Sequence, residues 1–138
     1  MITQKYLDEL TYEVIGSAIE VYKTMGRGLL ESLYHQCLKE ELLYRKINFV
    51  SELKIPVIYK TKELEIDFKC DLFLENCLVV ELKAVNRMEA LFEAQLLTYM
   101  KLLKAPKGII INFNCSKMGK KHLLMNISMF FQNFNFIF

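Results

Sequence analysis

The sequence predicts an α/β fold with a central sheet between helices. Apolar residues recur at helical spacing in two segments at the start of the chain and in one later segment, and short runs rich in Val, Ile and Phe lie between them. The predicted order is helix, helix, three or four antiparallel strands, helix, strand. The chain has 138 residues, five glycines, two prolines and no linker-like stretch, so residues 1–138 are expected to form a single domain.

Three helices follow from the apolar spacing. The first is predicted from roughly Thr3 to Met25. Gly26-Arg27-Gly28 ends it, because one glycine can close the helix and the other can free the turn. The second helix follows directly and is expected to end near Lys46, and the third covers Met88 to Lys104.

Four strands are predicted between the second and third helices, and a fifth after the third helix. Pro56 places an edge or a bulge at the start of the second strand, because proline cannot donate to a ladder. The fifth strand, Ile109 to Phe113, is apolar on both faces, as expected of a strand covered on two sides. The first four are Phe49 to Leu53, Ile55 to Lys60, Ile66 to Leu74 and Leu78 to Val85.

The C-terminal segment, Ile127 to Phe138, contains five phenylalanines. Three interpretations stay open: a final strand, a packing arm, or a subunit contact that makes a homodimer or a larger complex. An exposed segment of this composition would invite aggregation, so it is expected to be covered.

Composition limits the classes of partner and compartment. The formal net charge of +2 neither favours nor excludes a nucleic-acid partner. Any basic patch that binds nucleic acid therefore has to be local. No secretory pattern opens the chain and no apolar run approaches the ~20 residues of a membrane span. The protein is therefore expected in the cytoplasm, away from the membrane. Its cysteines lack zinc-site spacing and are expected to be reduced thiols: Cys37, Cys70, Cys77 and Cys115.

Carboxylates inside apolar strands are the most informative feature. Asp71 lies between Cys70 and Leu72, and Glu81 lies in a run of Val and Leu. Burying such charges is costly unless they are paired or bind a metal. A three-residue loop at Glu75-Asn76-Cys77 sets Asp71 opposite Glu81, whereas a two-residue loop would put the two on opposite faces. A metal site requires the odd loop or an equivalent bulge.

Strand alternation also assigns the neighbours to faces. Glu81 and Lys83 share a face, so the Lys83 ammonium can stabilise charge that builds on a phosphoryl oxygen. The alternative is an ion-pair set on a half-exposed sheet. In the preceding strand the expected faces are Lys69, Asp71 and Phe73 on one side, and Phe68, Cys70, Leu72 and Leu74 on the other.

Two helical positions have both a structural and a functional interpretation. Glu31, in the first turn of the second helix, either complements the helix dipole or supplies a further carboxylate to the site. Gln95 and Tyr99 share a helix face, either as a satisfied core pair or as a polar pair facing the carboxylates. His35 and His122 have no partner at ligand spacing and are interpreted as ordinary histidines.

Taken together, these residues resemble a known family. Asp71, then Glu81-x-Lys83, in an α-β-β-β-α-β order, resembles the PD-(D/E)XK nuclease superfamily. Gln95-x-x-x-Tyr99 is similar to the QxxxY motif of its RecB-like branch, and Gly28-x-x-Glu31-x-x-Tyr34 matches the signature of the GxxExxY proteins. The resemblance covers roughly residues 5 to 114. It implies a mixed central sheet flanked by helices, with the first helix as an N-terminal addition.

The resemblance also implies a chemistry. It suggests a metal-dependent nuclease that hydrolyses phosphodiester bonds, chiefly in DNA, with Mg²⁺ or Mn²⁺ held by Asp71, Glu81 and Glu31, and with Lys83 as the catalytic lysine. Gln95 and Tyr99 would orient the substrate or the lysine. The alternative is a catalytically inactive nucleic-acid- or protein-binding module on the same scaffold. A flanking basic patch is predicted from Lys54, Lys69, Arg87, Lys117, Lys120 and Lys121.

Overall fold

A computed structural model describes residues 2–114 and 127–132. It has the mixed α/β architecture expected from the sequence, with a five-stranded sheet flanked by helices. The elements in chain order are α1 (Gln4–Met25), α2 (Glu31–Tyr44), β1 (Phe49–Lys54), β2 (Ile58–Tyr59), β3 (Lys62–Glu63), β4 (Lys69–Leu74), β5 (Leu78–Lys83), α3 (Ala90–Leu103), β6 (Lys107–Asn112) and β7 (Ile127–Phe131).

The sheet has the strand order β1-β4-β5-β6-β7. The pair β5 and β6 is parallel and is joined by α3 as a crossover, whereas the other neighbouring pairs are antiparallel. The central strand β5 is buried over most of its length and β6 over its whole length, as expected of strands covered on both faces.

Helices cover both faces of the sheet. The α1/α2 cluster lies on one face and includes Leu72, Leu74 and Val80 from the central strands. The α3 cluster lies on the other face and includes Phe73 and Val79. Because side chains in β5 alternate regularly and Val79 faces α3, Glu81 is directed toward α3 as well.

Two glycines are required by local geometry. Gly28 has a φ of +83° in the turn between α1 and α2, a conformation that glycine adopts without a steric penalty. Gly108 is the second residue of β6, where an added Cβ would stand 2.7 Å from the sulfur of Met100. Gly108 therefore lets α3 approach the sheet closely.

The segment after β1 differs from its prediction. The strand expected from Ile55 to Lys60 is reduced to the two residues of β2, which pair with β3 in a small separate hairpin. The β4 strand begins at Lys69 instead of Ile66. Pro56 lacks the N–H that a strand needs for pairing, so the chain leaves the main sheet at this residue. It returns to the sheet at Phe68, whose carbonyl accepts a hydrogen bond from the Ile55 N–H at 2.7 Å.

The described part of the C-terminal segment is a strand. The β7 strand pairs antiparallel with β6 and completes the sheet at that edge, which agrees with the first of the three interpretations. Within residues 127–132, nothing supports a subunit contact or a homodimer, and residues 133–138 lie outside the described part. Within residues 2–114 and 127–132, no helix is long and apolar enough to cross a bilayer.

Candidate active site

Asp71 and Glu81 meet at one end of the β4–β5 hairpin. The ladder runs from Leu74 opposite Leu78 to Leu72 opposite Val80, so the next opposed pair is Asp71 and Glu81. This is the register expected from the odd loop. The turn itself uses left-handed residues, Glu75 at φ 50° and Asn76 at φ 57°.

The two carboxylates interrupt the ladder by bonding to each other's strand. The Asp71 backbone N–H donates to Glu81 Oε1 at 2.8 Å, and the Leu82 N–H donates to Asp71 Oδ2 at 2.8 Å. Both side chains are thus held by backbone donors, which fixes their positions before any ligand arrives.

The electrostatics of this pair are unfavourable without a cation. Glu81 is only 6% exposed. Burial raises the pKa of its carboxyl to about 8, and the charge of Asp71 acts in the same direction. A divalent ion fits this site, because two convergent carboxylates are the hard oxygen donors that Mg²⁺ and Mn²⁺ prefer and the ion offsets their repulsion.

Glu31 lies near this pair but does not complete a cluster of three acids. Partial desolvation raises the pKa of its carboxyl, the charge of Asp71 adds to the rise, and Lys83 opposes it. Across the described ranges, no three His, Cys, Asp or Glu side chains are grouped closely enough to hold a metal. Glu31 stands in the first turn of α2 as an exposed residue, so it approaches the carboxylates from the solvent side.

The Lys83 ammonium lies at the end of β5 beside α3. Its Nζ is 4.4 Å from the centroid of the Phe92 ring, a cation–π distance that restrains the ammonium without neutralising it. The charge of Lys83 lowers the pKa values of both Glu31 and Glu81, against the larger effect of burial. Lys83 therefore adds a positive charge to the site from the same strand as Glu81.

Gln95 and Tyr99 face the carboxylates from α3. Gln95 Nε2 donates to Tyr99 Oη at 2.8 Å. Burial, together with the charges of Glu81 and Asp71, raises the pKa of Tyr99 to about 12, so the phenol stays protonated at neutral pH. With one lone pair of Oη occupied by Gln95, the Tyr99 hydroxyl keeps its proton available for donation.

The strand faces differ from strict alternation at one point. Leu72 and Leu74 lie in the α1/α2 cluster as expected, but Cys70 lies in the α3 cluster, and Phe68 packs against that cluster as well. The two were expected on the other face. The reason is the interrupted ladder at Asp71, whose N–H bonds to a side chain of β5, so β4 reorients there and its earlier residues turn toward α3.

Tyr34 connects the α1–α2 turn to the strand that carries Lys83, a role that sequence reasoning missed. Its hydroxyl donates to the Gly26 carbonyl at 2.7 Å, and its ring stacks on Phe113 with centroids 4.5 Å apart. The Phe113 N–H in turn donates to the Lys83 carbonyl at 2.9 Å. The spacing of Tyr34 from Glu31 was visible in the sequence, but the contact with Phe113 was not.

Asn112 is a second residue that sequence reasoning missed. Its Oδ1 accepts the Val85 N–H at 3.1 Å and its Nδ2 donates to the Val85 carbonyl at 3.0 Å. The amide thus holds the chain two residues beyond Lys83 against the end of β6. The available signal was a buried asparagine ending an otherwise apolar strand, because such an amide needs partners.

The remaining candidates lie around the site or outside the described residues. His35 Nε2 is 3.1 Å from Ser51 Oγ, which is a satisfied structural contact. Cys37, Cys70 and Cys77 are free thiols. Of the predicted basic patch, Lys54 and Lys69 are cross-strand partners near Asp71 and are exposed, as is Arg87. Outside the described residues lie Cys115, Lys117, Lys120, Lys121 and His122.

Comparison with known proteins gives one match. A sequence profile described as the PD-(D/E)XK nuclease superfamily matches residues 8–123, which is most of the chain and includes the acids and Lys83. No curated protein and no solved structure matches the chain.

Proposed function

Because the chain belongs to the PD-(D/E)XK nuclease superfamily, we propose that it is a metal-dependent nuclease that hydrolyses phosphodiester bonds, with DNA as the expected substrate. The observation that carries the proposal is the reciprocal arrangement of Asp71 and Glu81, in which each carboxylate accepts a hydrogen bond from the other's strand. A buried glutamate beside a second carboxylate is costly in an apolar sheet unless the two serve a cation.

In this proposal Asp71 and Glu81 hold Mg²⁺ or Mn²⁺, and Glu31 joins them from α2 when the ion or the substrate is present. The ion would supply Lewis-acid polarisation of the phosphate and activation of the attacking water. The charges of Asp71 and Lys83 both act on the pKa of the Glu31 carboxyl, which supports its place beside the pair.

Lys83 stabilises the negative charge that grows on the phosphoryl oxygens. The Phe92 ring keeps the ammonium in place from one side, 4.4 Å away, so little reorganisation is needed when the charge develops. Tyr99, oriented by Gln95, donates a hydrogen bond from its hydroxyl to a phosphate oxygen of the substrate and so positions it. These roles make Asp71, Glu81, Lys83, Gln95 and Tyr99 the proposed catalytic set.

Nucleic acid would reach the site across exposed basic residues. Lys54 and Lys69 lie at the end of the β1–β4 ladder close to Asp71, and Arg87 lies in the segment between β5 and α3. Binding through phosphate contacts of this kind weakens as salt concentration rises. Measuring DNA affinity at low and high salt, for wild type and for Lys69→Ala, checks this part of the proposal.

The finer assignments are also part of the proposal. Placement in the GxxExxY group is supported by Gly28, Glu31 and Tyr34, and placement in the RecB-like branch by the bonded pair of Gln95 and Tyr99. The proposal also includes a single domain over residues 1–138 and a cytoplasmic location. The location is supported by the free thiols, which are typical of a reducing compartment.

The test is incubation of the full chain with single- and double-stranded DNA and RNA in Mg²⁺, Mn²⁺ or EDTA. Cleavage is expected with metal and not with EDTA, and Glu81→Ala, as the matched control for contaminating nuclease, should not cleave. The second candidate, an inactive binding module, is favoured by the absence of a third acid from the group within the described residues. Binding without cleavage in either metal would establish that second candidate.

A further inference from the structure

Glu52 has a backbone conformation that is unusual for a strand residue. It lies inside β1 with a φ of 51°, whereas the other left-handed non-glycine residues in the described ranges lie in turns or at helix ends. A left-handed backbone is unfavourable for a residue with a Cβ atom, so its neighbours must hold it there. Those other residues are Lys46, Lys60, Glu75, Asn76 and Lys104.

Glu52 stands opposite the candidate metal ligand Asp71. The β1–β4 ladder pairs Ser51 with Leu72 and Leu53 with Cys70, and the position between them, Glu52 opposite Asp71, is unpaired. The register is the same on both sides of this gap, so no residue is inserted. The Asp71 N–H, which could bond β1 in a regular ladder, donates to Glu81 Oε1 instead.

The two strands reverse their faces at this position. The partners Phe49 and Leu74 both pack in or against the α1/α2 cluster. The partners Leu53 and Cys70 instead pack in or against the α3 cluster. Regular alternation would put all four on one side. The reversal in β1 coincides with the left-handed Glu52, and the reversal in β4 coincides with Asp71.

We propose that Glu52 is a positioning residue whose left-handed backbone, and not its carboxylate, sets the orientation of Asp71. With Glu52 left-handed, β1 offers no regular partner to Asp71, so Asp71 turns its N–H to Glu81 and its own carboxylate to the Leu82 N–H. With Glu52 extended, the ladder would continue and the two carboxylates would separate. The metal readout of this inference rests on the proposed function.

The matched pair of variants is Glu52→Asn and Glu52→Val. Both remove the charge, but asparagine tolerates the left-handed region and a β-branched residue does not. Each full-length protein is titrated with Mn²⁺ by calorimetry. The affinity of Glu52→Asn should lie within about twofold of the wild-type value, and that of Glu52→Val should be about tenfold weaker. The tenfold figure corresponds to the free-energy penalty of a left-handed residue. Glu52→Gly should behave like Glu52→Asn.

Val50 supplies the control for general strand effects. It is exposed on the same strand and pairs regularly with Phe73, so Val50→Asn exchanges the same two residue types at an ordinary position. In urea unfolding, asparagine should be the more stable choice at position 52 and valine the more stable choice at position 50. Mn²⁺ affinity should not change in Val50→Asn.

Two outcomes overturn the inference. Equal Mn²⁺ affinity in Glu52→Asn and Glu52→Val, whether both are normal or both are reduced, shows that the backbone of residue 52 does not set the site. The second readout needs no metal. NOEs from the Leu53 methyl groups to the α3 cluster should persist in Glu52→Asn and weaken in Glu52→Val. If these NOEs persist in both variants, the inference is refuted. If wild type binds no Mn²⁺, the proposed function fails and the NOEs alone decide this inference.

Discussion

The two ends of the β4–β5 hairpin follow different rules. The turn half, Leu72–Leu74 with Leu78–Val80, is a regular ladder of fully or nearly fully buried apolar residues. In the site half, Lys69–Asp71 with Glu81–Lys83, the β4–β5 ladder is interrupted, β4 reverses its faces and a glutamate is buried. Regular pairing and apolar burial in the turn half stabilise the fold. The site half gives up that stabilisation to hold two carboxylates together, which is the pattern expected at a functional site.

The largest expected effect is in the site half. Glu81→Gln keeps the acceptor for the Asp71 N–H but removes the charge, so Mn²⁺ affinity should be lost and cleavage should fall on the order of 10³-fold or more. In EDTA above about pH 8, where the Glu81 carboxyl is ionised, the variant should be at least as stable as wild type, because a desolvated charge is gone. Calorimetric titration, turnover and thermal unfolding in EDTA check this, and unchanged cleavage would contradict the metal-ligand role.

The turn half should respond in the opposite way. Leu74 is fully buried in the α1/α2 cluster, so Leu74→Ala should lower the free energy of unfolding by about 2–5 kcal/mol. Turnover per folded molecule should stay near the wild-type value. Urea unfolding and turnover at low temperature measure the two quantities. A loss of turnover beyond the loss of folded protein would mean that the two halves are not independent.

Substitutions of Lys83 distinguish an effect on catalysis from an effect on metal binding within the site half. Lys83→Ala should reduce cleavage on the order of 10²-fold while leaving most of the Mn²⁺ affinity, because the ammonium acts on the developing charge. Lys83→Met is the control that keeps the stem against Phe92 but lacks the charge. Equal losses in both variants assign the effect to charge, and recovery in Lys83→Met would assign it to packing.

The pH dependence of stability should also come from the site half. Burial raises the pKa of Glu81 from 4.5 to about 8, so between these values the folded metal-free protein binds more protons than the unfolded chain. Its stability should therefore fall as pH rises through this window, by at most about 1.4 kcal/mol per pH unit. Urea unfolding in EDTA at several pH values measures the slope. Glu81→Gln should flatten it, and a slope that survives in this variant belongs to another group.

The smallest effect is expected at Tyr34, which links the α1–α2 turn to Phe113. Tyr34→Phe keeps the stack on Phe113 and loses the hydroxyl bonds to the Gly26 carbonyl and the Leu29 N–H, so stability should fall by about 1 kcal/mol. Urea unfolding measures it. No change in stability would indicate that water replaces these bonds and that the stack alone fixes the turn.

Much of the fold could be predicted from the spacing of apolar residues and from the residues that end helices and strands. The three helices, the break at Gly26-Arg27-Gly28 and the odd loop at Glu75-Asn76-Cys77 are local features, each decided by residues a few positions apart. The strand expected from Ile55 to Lys60 was wrong, because its apolar pattern did not reveal that Pro56 lets the chain leave the main sheet.

The candidate site could be predicted only in part. The two acids and Lys83 were recognisable as charges misplaced in apolar strands, and Gln95 with Tyr99 by helical spacing. Tyr34 with Phe113, and Asn112 with Val85, join residues far apart in sequence, so no local pattern signals their pairing. The roles proposed for all of these residues stay predictions until they are measured.

The sequence by itself indicated most of the element types and the acids proposed to hold a cation, because each depends on the identities and spacing of near neighbours. It left two registers open for the β4–β5 hairpin, and the structure has the one in which Asp71 stands opposite Glu81. The tertiary structure alone decided that Asp71 leaves the ladder, that Glu52 is left-handed and that Cys70 turns toward α3. All three occur where the Asp71 N–H bonds to the Glu81 carboxylate instead of continuing a ladder, and only the packed strands bring that donor and that acceptor together.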